Sequence, residues 1–289
     1  MISAVPQVRD TSAAVFAVLT EKELAESKRA EGVRVIEHAG HFWEQSGAPG
    51  FFQPVHLLAR LTPEEATRPT PFSWGYRAAL TPDAAGAANG VVPIVRIADL
   101  AGYDFDSLCS SRRNRLRKCQ RMVQIVQLTG PGLLLEQGYE VVVDALSRTR
   151  HKPIPAPEQY VTTVKRYFQG DHWCLLAGLI DGKLGGFIDG YVVEGVAYGL
   201  NAYYATWALS ANISTGLIFE FAQILRRLKC VHTAVVGLHA PELPQLSKFK
   251  DDMGFAVENI PIKWDMNVIA RSLIRWRRPH TYYRLTGSN

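Results

Sequence analysis

Three apolar strands follow one another between His172 and Tyr204 with almost no chain left between them: HWCLLAGLID, KLGGFIDGYVVE and VAYGLNAYY. The joints, Asp181-Gly182-Lys183 and Glu194-Gly195, are two-strand turn signals, because Gly next to a polar residue supplies the positive φ angles of a tight hairpin. Strands this close in sequence pair as neighbours, so the stretch specifies an antiparallel meander, and the rest of the chain must pack around it.

What surrounds the meander alternates. SRRNRLRKCQRM, Ser111 to Met122, reads as a helix, with Arg113, Arg117 and Arg121 recurring every four residues and Leu116 turned inward. A strand VQIVQL, a turn at Gly130-Pro131-Gly132 and a helix around YEVVVDALSRTR come next. Beyond the Pro-rich HKPIPAP, a helix EQYVTTVKRYF carries Tyr160, Val164 and Tyr167 or Phe168 on one face. After the meander, ALSANIST leads into a helix GLIFEFAQILRRLK, whose basic end suits a helix C-terminus. A strand HTAVVGL, a helix PQLSKFKDDM and a strand AVENIPIKW close the series.

The first hundred residues are different in kind, rich in Pro, Gly, Ala and aromatics, with strand-like runs only at VRVIEH, SWGYRAAL and GVVPIVRI and turn signals at Ala48-Pro49-Gly50 and Asn89-Gly90. The expected organisation is an irregular N-terminal subdomain over 1–102, an α/β domain with a mixed sheet over 103–265, and a basic C-terminal helix or tail over 266–289.

Composition excludes several classes. Of 289 residues, 47% are hydrophobic and 20% charged, enough apolar material for a sizeable core. No apolar run approaches the length of a membrane span, and MISAVPQVRDTSAAVFAVLTEKE has no basic leader, so a cytoplasmic location is expected. The four cysteines contain no C-x-x-C, and the close pair His38 and His41 lacks further ligands, so neither a disulfide framework nor a metal is expected. The net charge of +5 is concentrated in SRRNRLRKCQRM and in RSLIRWRRPHTYYR, which points to anionic partners: a phosphorylated cofactor, RNA or a lipid surface.

The order strand, two helices, meander, long helix, strand, helix, strand resembles the GNAT acyltransferase fold over Val123 to Trp264. SRRNRLRK is similar to the S-x-R-x-x-(I/L)-R-(K/R) segment of the Fem-type branch, whose members attach amino acids to peptidoglycan precursors. LSKFKDDMGF, residues 246–255, is similar to that branch's F-K-x-x-(F/M)-G element. The resemblance implies an N-acyltransferase using an acyl-CoA or an aminoacyl-tRNA as donor and an amine as acceptor, with the N-terminal region as a partial GNAT-like half. Two departures go with it. The Gly-rich pyrophosphate loop of GNAT acetyltransferases is replaced by SANISTGL, Ser210 to Leu217, and their acid tyrosine by Lys250. Both fit the Fem-type branch better, and both leave open a catalytically inert GNAT-like module that binds RNA or a protein partner.

Folds of this type hold the donor where two neighbouring strands part, here near Leu200 to Tyr204. Asn201, Tyr203 and Tyr204 are therefore the first candidates for hydrogen-bond donors or proton relays, with plain strand packing as the ordinary alternative. Asp189, His239 and Glu242 are candidate general bases. Ser210, Asn212, Ser214, Thr215 and Gly216 precede the long helix, where free N–H groups attract anions, although Ser214 or Thr215 could equally serve as a cap. Arg113 and Arg117 are candidates for the donor's phosphates or, with Arg121, for a tRNA backbone. Phe249 and Lys250 belong to the Fem-like element, with Lys250 as a point charge for a phosphate or carboxylate. Finally, Met266, Ile269, Leu273 and Trp276 lie at helical spacing among Arg271, Arg275, Arg277 and Arg278, so residues 266–278 fit either an anionic membrane surface or docking on their own domain.

Overall fold

The computed structural model describes residues 7–47, 49–97, 99–150 and 152–288. The start of the N-terminal stretch read for a leader, and Ala48 of one expected turn, lie outside the described residues. The chain divides into two compact units. One takes the chain to Val18, Ile97–Val235 and Asp252–Gly254; the other takes Leu19–Arg96, Val236–Asp251 and the residues from Phe255 onward.

The first unit is built on a sheet of β1 (Val8–Asp10), β2 (Gln124–Leu128), β3 (Cys174–Ile180), β4 (Lys183–Val193), β5 (Val196–Tyr204) and the start of β6 (Thr233–Leu238), paired in that order. β3, β4 and β5 form the expected meander. Both hairpin loops have two residues, and all four loop residues have positive φ: Asp181 at 50°, Gly182 at 76°, Glu194 at 47° and Gly195 at 75°. That mirror-image turn matches the twist of the strands it joins. Among the described residues β6 pairs with β5 in parallel through Val196↔Thr233, Ala197↔Ala234 and Tyr198↔Val235.

Helices cover this sheet for reasons visible in their sequences. α1 (Ser110–Met122) buries Arg112, Leu116 and Cys119, a stripe at i, i+4 and i+7. Leu116 faces inward as its spacing predicts, and the arginine in its stripe is Arg112. α2 (Tyr139–Thr149) buries Val141, Val142, Ala145 and Leu146, and α3 (Pro157–Tyr167) buries Tyr160, Val164 and Tyr167. α4 (Ile213–Arg227) is apolar almost all round and sinks Ile213, Leu217, Phe221, Ile224 and Leu225 into the core before ending on Arg226 and Arg227. Gly216 is required on α4, since an added Cβ would fall 2.3 Å from Cys119 Sγ.

The second unit holds a sheet ordered Gly90–Ile97, Phe255–Met266, Gly75–Ala79, Phe51–Pro54, His41–Gln45 and Val35–His38. Its core gathers Trp43, Phe52, Leu61, Tyr76 and Leu80. The three strands read from the N-terminal sequence are present, joined by two more and by a helix, Glu21–Ala30, that opens on a reciprocal cap between Thr20 and Glu23. At the other end, the expected stripe beginning at Met266 needs correction. Met266 ends a strand and is buried, and the helix starts at Val268, because the Asn267 side chain accepts from Ala270 N at 2.7 Å and sets the cap there.

Candidate active site

The parallel ladder of β5 ends at Tyr198↔Val235. One residue later β5 bulges: Gly190 pairs with Gly199 and Asp189 with Asn201, so Leu200 is the extra residue. Leu200 is 48% exposed. The bulge falls on the segment expected to hold a donor, and it reorients the strand immediately before Asn201.

Asp189 occupies the partner position on β4 and is 1% exposed. Its carboxylate accepts from the Tyr167 hydroxyl at 2.5 Å, from Asn201 N at 3.0 Å and from Asn201 Nδ2 at 2.9 Å. Burial raises its pKa above the usual carboxylate range, and the hydrogen bonds from Tyr167 and Asn201, followed by the charge of Lys152, pull it partly back. Asn201 is fixed from both ends, since its Oδ1 accepts from Lys152 Nζ at 3.0 Å. The Tyr167 hydroxyl is held well above its usual pKa by burial and then by the charge of Asp189, so it stays a donor.

Aromatic rings wall this centre. Trp173 meets Tyr167 edge-on at 5.1 Å and Tyr191 at 5.5 Å, and Tyr191 lies 5.6 Å from Tyr198. Tyr203 is half-buried on the same strand face as Asn201, 5.3 Å from the Phe187 ring, and its pKa is raised by burial and then by Asp189. Tyr204 points the other way, and its buried hydroxyl finds no hydrogen-bond partner among the described residues. The end of β5 is clamped to α2, because Arg148 donates to Tyr204 O at 2.9 Å and to Thr206 Oγ1 at 2.6 Å, while Asp144 accepts from Thr206 Oγ1 at 2.9 Å. Beside Lys152, an open depression of about 580 Å³ is lined by Leu146, Ser147, Arg150, Lys152, Pro153 and Ile154.

Asp189, Asn201 and Tyr203 therefore come together in the first unit, while Tyr204 lies on the opposite face of the same strand. The anion segment is divided. Ser210 is exposed and Asn212 and Ser214 half-buried, whereas Thr215 accepts from Arg112 Nη1 at 3.4 Å and Gly216 packs on Cys119. Asn212 is left-handed, φ 59°, and its carbonyl takes the Thr215 and Gly216 amides at 3.0 and 3.3 Å. On α1, Arg113 pairs with Asp106 at 3.0 Å, and Arg117 bonds Asn114 Oδ1 at 3.0 Å and lies 4.7 Å over the Phe105 ring.

The remaining candidates belong to the second unit. His239 bonds the Tyr283 hydroxyl at 3.0 Å, and burial, then Lys250, lowers its pKa. Glu242 pairs with Arg284 and lies 3.8 Å from His280. Phe249 is half-buried, and burial brings the Lys250 amine down to about 8. Sequence reasoning missed the site roles of Tyr167, Lys152 and Arg112. Tyr167 was legible only as part of an apolar face, and Lys152 lay in a Pro-rich connection that carries no periodic signal.

Among the described residues no group of His, Cys, Asp and Glu is arranged to hold a metal. No family model matches the chain, and no curated protein does. Solved structures do. FemX superposes with a TM-score of 0.62 at 10% identity, covering 92% of this chain and 96% of its own. A C-terminal domain of the DUF2156 type from Agrobacterium fabrum gives 0.58 at 11% identity, covering 93% and 98%. L-PGS from Bacillus licheniformis gives 0.55 at 11% identity, covering 96% and 100%. At these identities the likeness is one of fold: the chain shares the mixed α/β fold of FemX, L-PGS and the DUF2156 domain, in line with the fold that the element order led us to expect.

Proposed function

We propose that the chain is an N-acyltransferase that moves an acyl or aminoacyl group from an acyl-CoA or an aminoacyl-tRNA to an amine. The observation that carries this reading is the end of the β5–β6 ladder at Tyr198, followed at once by a bulge whose next residue, Asn201, is locked onto a buried carboxylate. Past Tyr198 the edge of β5 offers backbone N–H and C=O groups to an amide-bearing arm. The likeness to FemX supports the same class of chemistry at the level of fold.

In the reaction the neutral amine attacks the donor carbonyl, a C–N bond forms, and the C–S or ester C–O bond breaks. The amine loses one proton, and the leaving thiolate or ribose alkoxide gains one. Tyr203, half-buried and still protonated because its pKa is raised, suits a hydrogen-bond donor to the carbonyl oxygen as charge gathers there. Asp189 is too buried to touch an acceptor. It is a positioning residue that holds Asn201, and Lys152 holds the other end of that amide. Arg113, Arg117, Ser210, Asn212 and Ser214 are the residues of the first unit that we assign to the donor's phosphates or RNA backbone.

The test is a transfer assay with several acyl-CoA donors and with aminoacyl-tRNA against a mixture of amines, reading free thiol or deacylated tRNA. Transfer is expected with one donor class. Tyr203→Phe should lower kcat by about 10² with little change in KM, the scale of losing one transition-state donor. No transfer with either class, together with retained binding of bulk tRNA, would replace this reading with that of an inert RNA-binding module.

A further inference from the structure

The helix Val268–Arg277 buries none of its residues. Ile269, Leu273 and Trp276 are 81%, 48% and 75% exposed, with Val268 at 67% beside them. Ile269, Leu273 and Trp276 sit at i, i+4 and i+7, so they form one stripe along the helix, while Ala270 and Ile274, the two residues that are only half-exposed, lie on the side turned to the rest of the unit. Arg271, Arg275, Arg277 and Arg278 are all exposed. No Asp or Glu occurs from residue 266 to 289. Of the cations in this stretch, Arg284 is paired with Glu242, Arg275 lies 5.8 Å over the Tyr282 ring, and Arg277 lies 5.4 Å over the Trp276 ring.

We infer that this helix lies flat on an anionic lipid surface, with Ile269, Leu273 and Trp276 entering the headgroup boundary and the four arginines meeting lipid phosphates. The combination decides the partner. A nucleic-acid backbone would use the arginines but leave the aliphatic stripe in water. A second copy of the chain would cover the stripe but bring two sets of four arginines together without an acid on this segment to offset them. A bilayer rich in acidic lipids satisfies both sets, and Trp and Arg are the side chains that such a boundary accommodates, the one through its amphipathic ring and the other by extending its charge outward. Acyl transfer as proposed above does not require this contact, so the two readings stand or fall separately.

Flotation of the full chain with phosphatidylcholine vesicles, with and without phosphatidylglycerol, tests the inference. Recovery is expected only with the anionic vesicles and should decline as salt rises. Each change of Arg271, Arg275, Arg277 or Arg278 to Gln should lower the partition coefficient by roughly fivefold. The triple variant I269S/L273S/W276S should abolish flotation while its urea unfolding midpoint stays close to the wild-type value, because the stripe is largely exposed. Equal recovery of this variant and the wild type would overturn the inference, as would failure of the wild type to float. A concentration-dependent dimer that the same triple variant disperses would also overturn it and assign the stripe to self-association.

Discussion

Asn201 faces Asp189 across the β4–β5 ladder and gives it two hydrogen bonds, from its backbone N at 3.0 Å and from Nδ2 at 2.9 Å. A residue just past a bulge is thereby as firmly placed as one in a regular ladder. The arrangement costs something, since the carboxylate it satisfies is 1% exposed.

Removing that carboxylate separates its two effects. Asp189→Ala leaves the Tyr167 hydroxyl and both Asn201 donors without their acceptor and should lower unfolding free energy by about 3 kcal/mol or more, whereas Asp189→Asn keeps an acceptor oxygen and should cost about 1–2 kcal/mol. The pH dependence has a definite sign. The folded pKa of Asp189 is raised, so the native state holds the proton more tightly than the unfolded state. Its contribution is full below the ordinary aspartate value and is lost as pH rises through the folded value. Urea titrations should show this fall in the wild type and not in Asp189→Asn.

On α1, arginines one position apart have opposite fates. Arg112 is buried and sits 3.3 Å from Asp252, while Arg113 pairs with Asp106, an aspartate whose side chain is 83% exposed. Arg112→Ala removes the buried member of the first pair and its hydrogen bonds to Asp252 and Thr215, so it should destabilise by about 1–3 kcal/mol. Arg113→Ala and Arg117→Ala should stay within about 0.5 kcal/mol. If Arg113 and Arg117 serve the donor, binding of CoA or tRNA should weaken in those two variants while their unfolding midpoints do not move.

The same helix marks how far sequence reaches. Its existence, its inward Leu116 and the strand after it follow from periodicity, as do the meander and its hairpins, because two-residue turns with Gly admit few conformations. The fold resemblance singled out the segment Leu200 to Tyr204, but the bulge at Leu200 carries no signal in the sequence. The Tyr167–Asp189–Asn201–Lys152 network was not, because it joins residues up to 49 apart in sequence through hydrogen bonds that leave no periodic trace. The burial of Arg112 was hidden likewise, since its spacing from Leu116 is legible but its partner Asp252 is 140 residues away.

Thiol chemistry offers an independent check on the packing of α1 and β3. Cys109 and Cys230 are exposed, whereas Cys119 and Cys174 are buried. Burial pushes the Cys119 thiol up to about 11 and Cys174 further, and a hydrogen bond from Ser111 lowers Cys109. Two of the four thiols should react promptly with a disulfide reagent at neutral pH, Cys109 faster, and two only on unfolding. Prompt reaction of Cys119 would mean that α1 does not pack against α4 as described.

Lys250 is the second unit's most perturbed amine, brought down to about 8 from an ordinary 10.5 by burial. At pH 7 it is charged in both states, and the folded state bears the desolvation. Between about 8 and 10.5 the unfolded chain holds the proton that the folded chain has released, so unfolding free energy should rise with pH across that window. Lys250→Met removes the cost and the slope together, so the variant should be more stable than the wild type at pH 7 and the two should converge toward pH 10. The neutral amine present at pH 8 should also make Lys250 react with an amine-acylating reagent ahead of the exposed lysines, as peptide mapping after brief labelling would show. If Lys250 meets a donor phosphate, prior addition of CoA or tRNA should slow that labelling, and the slowing should disappear as salt rises.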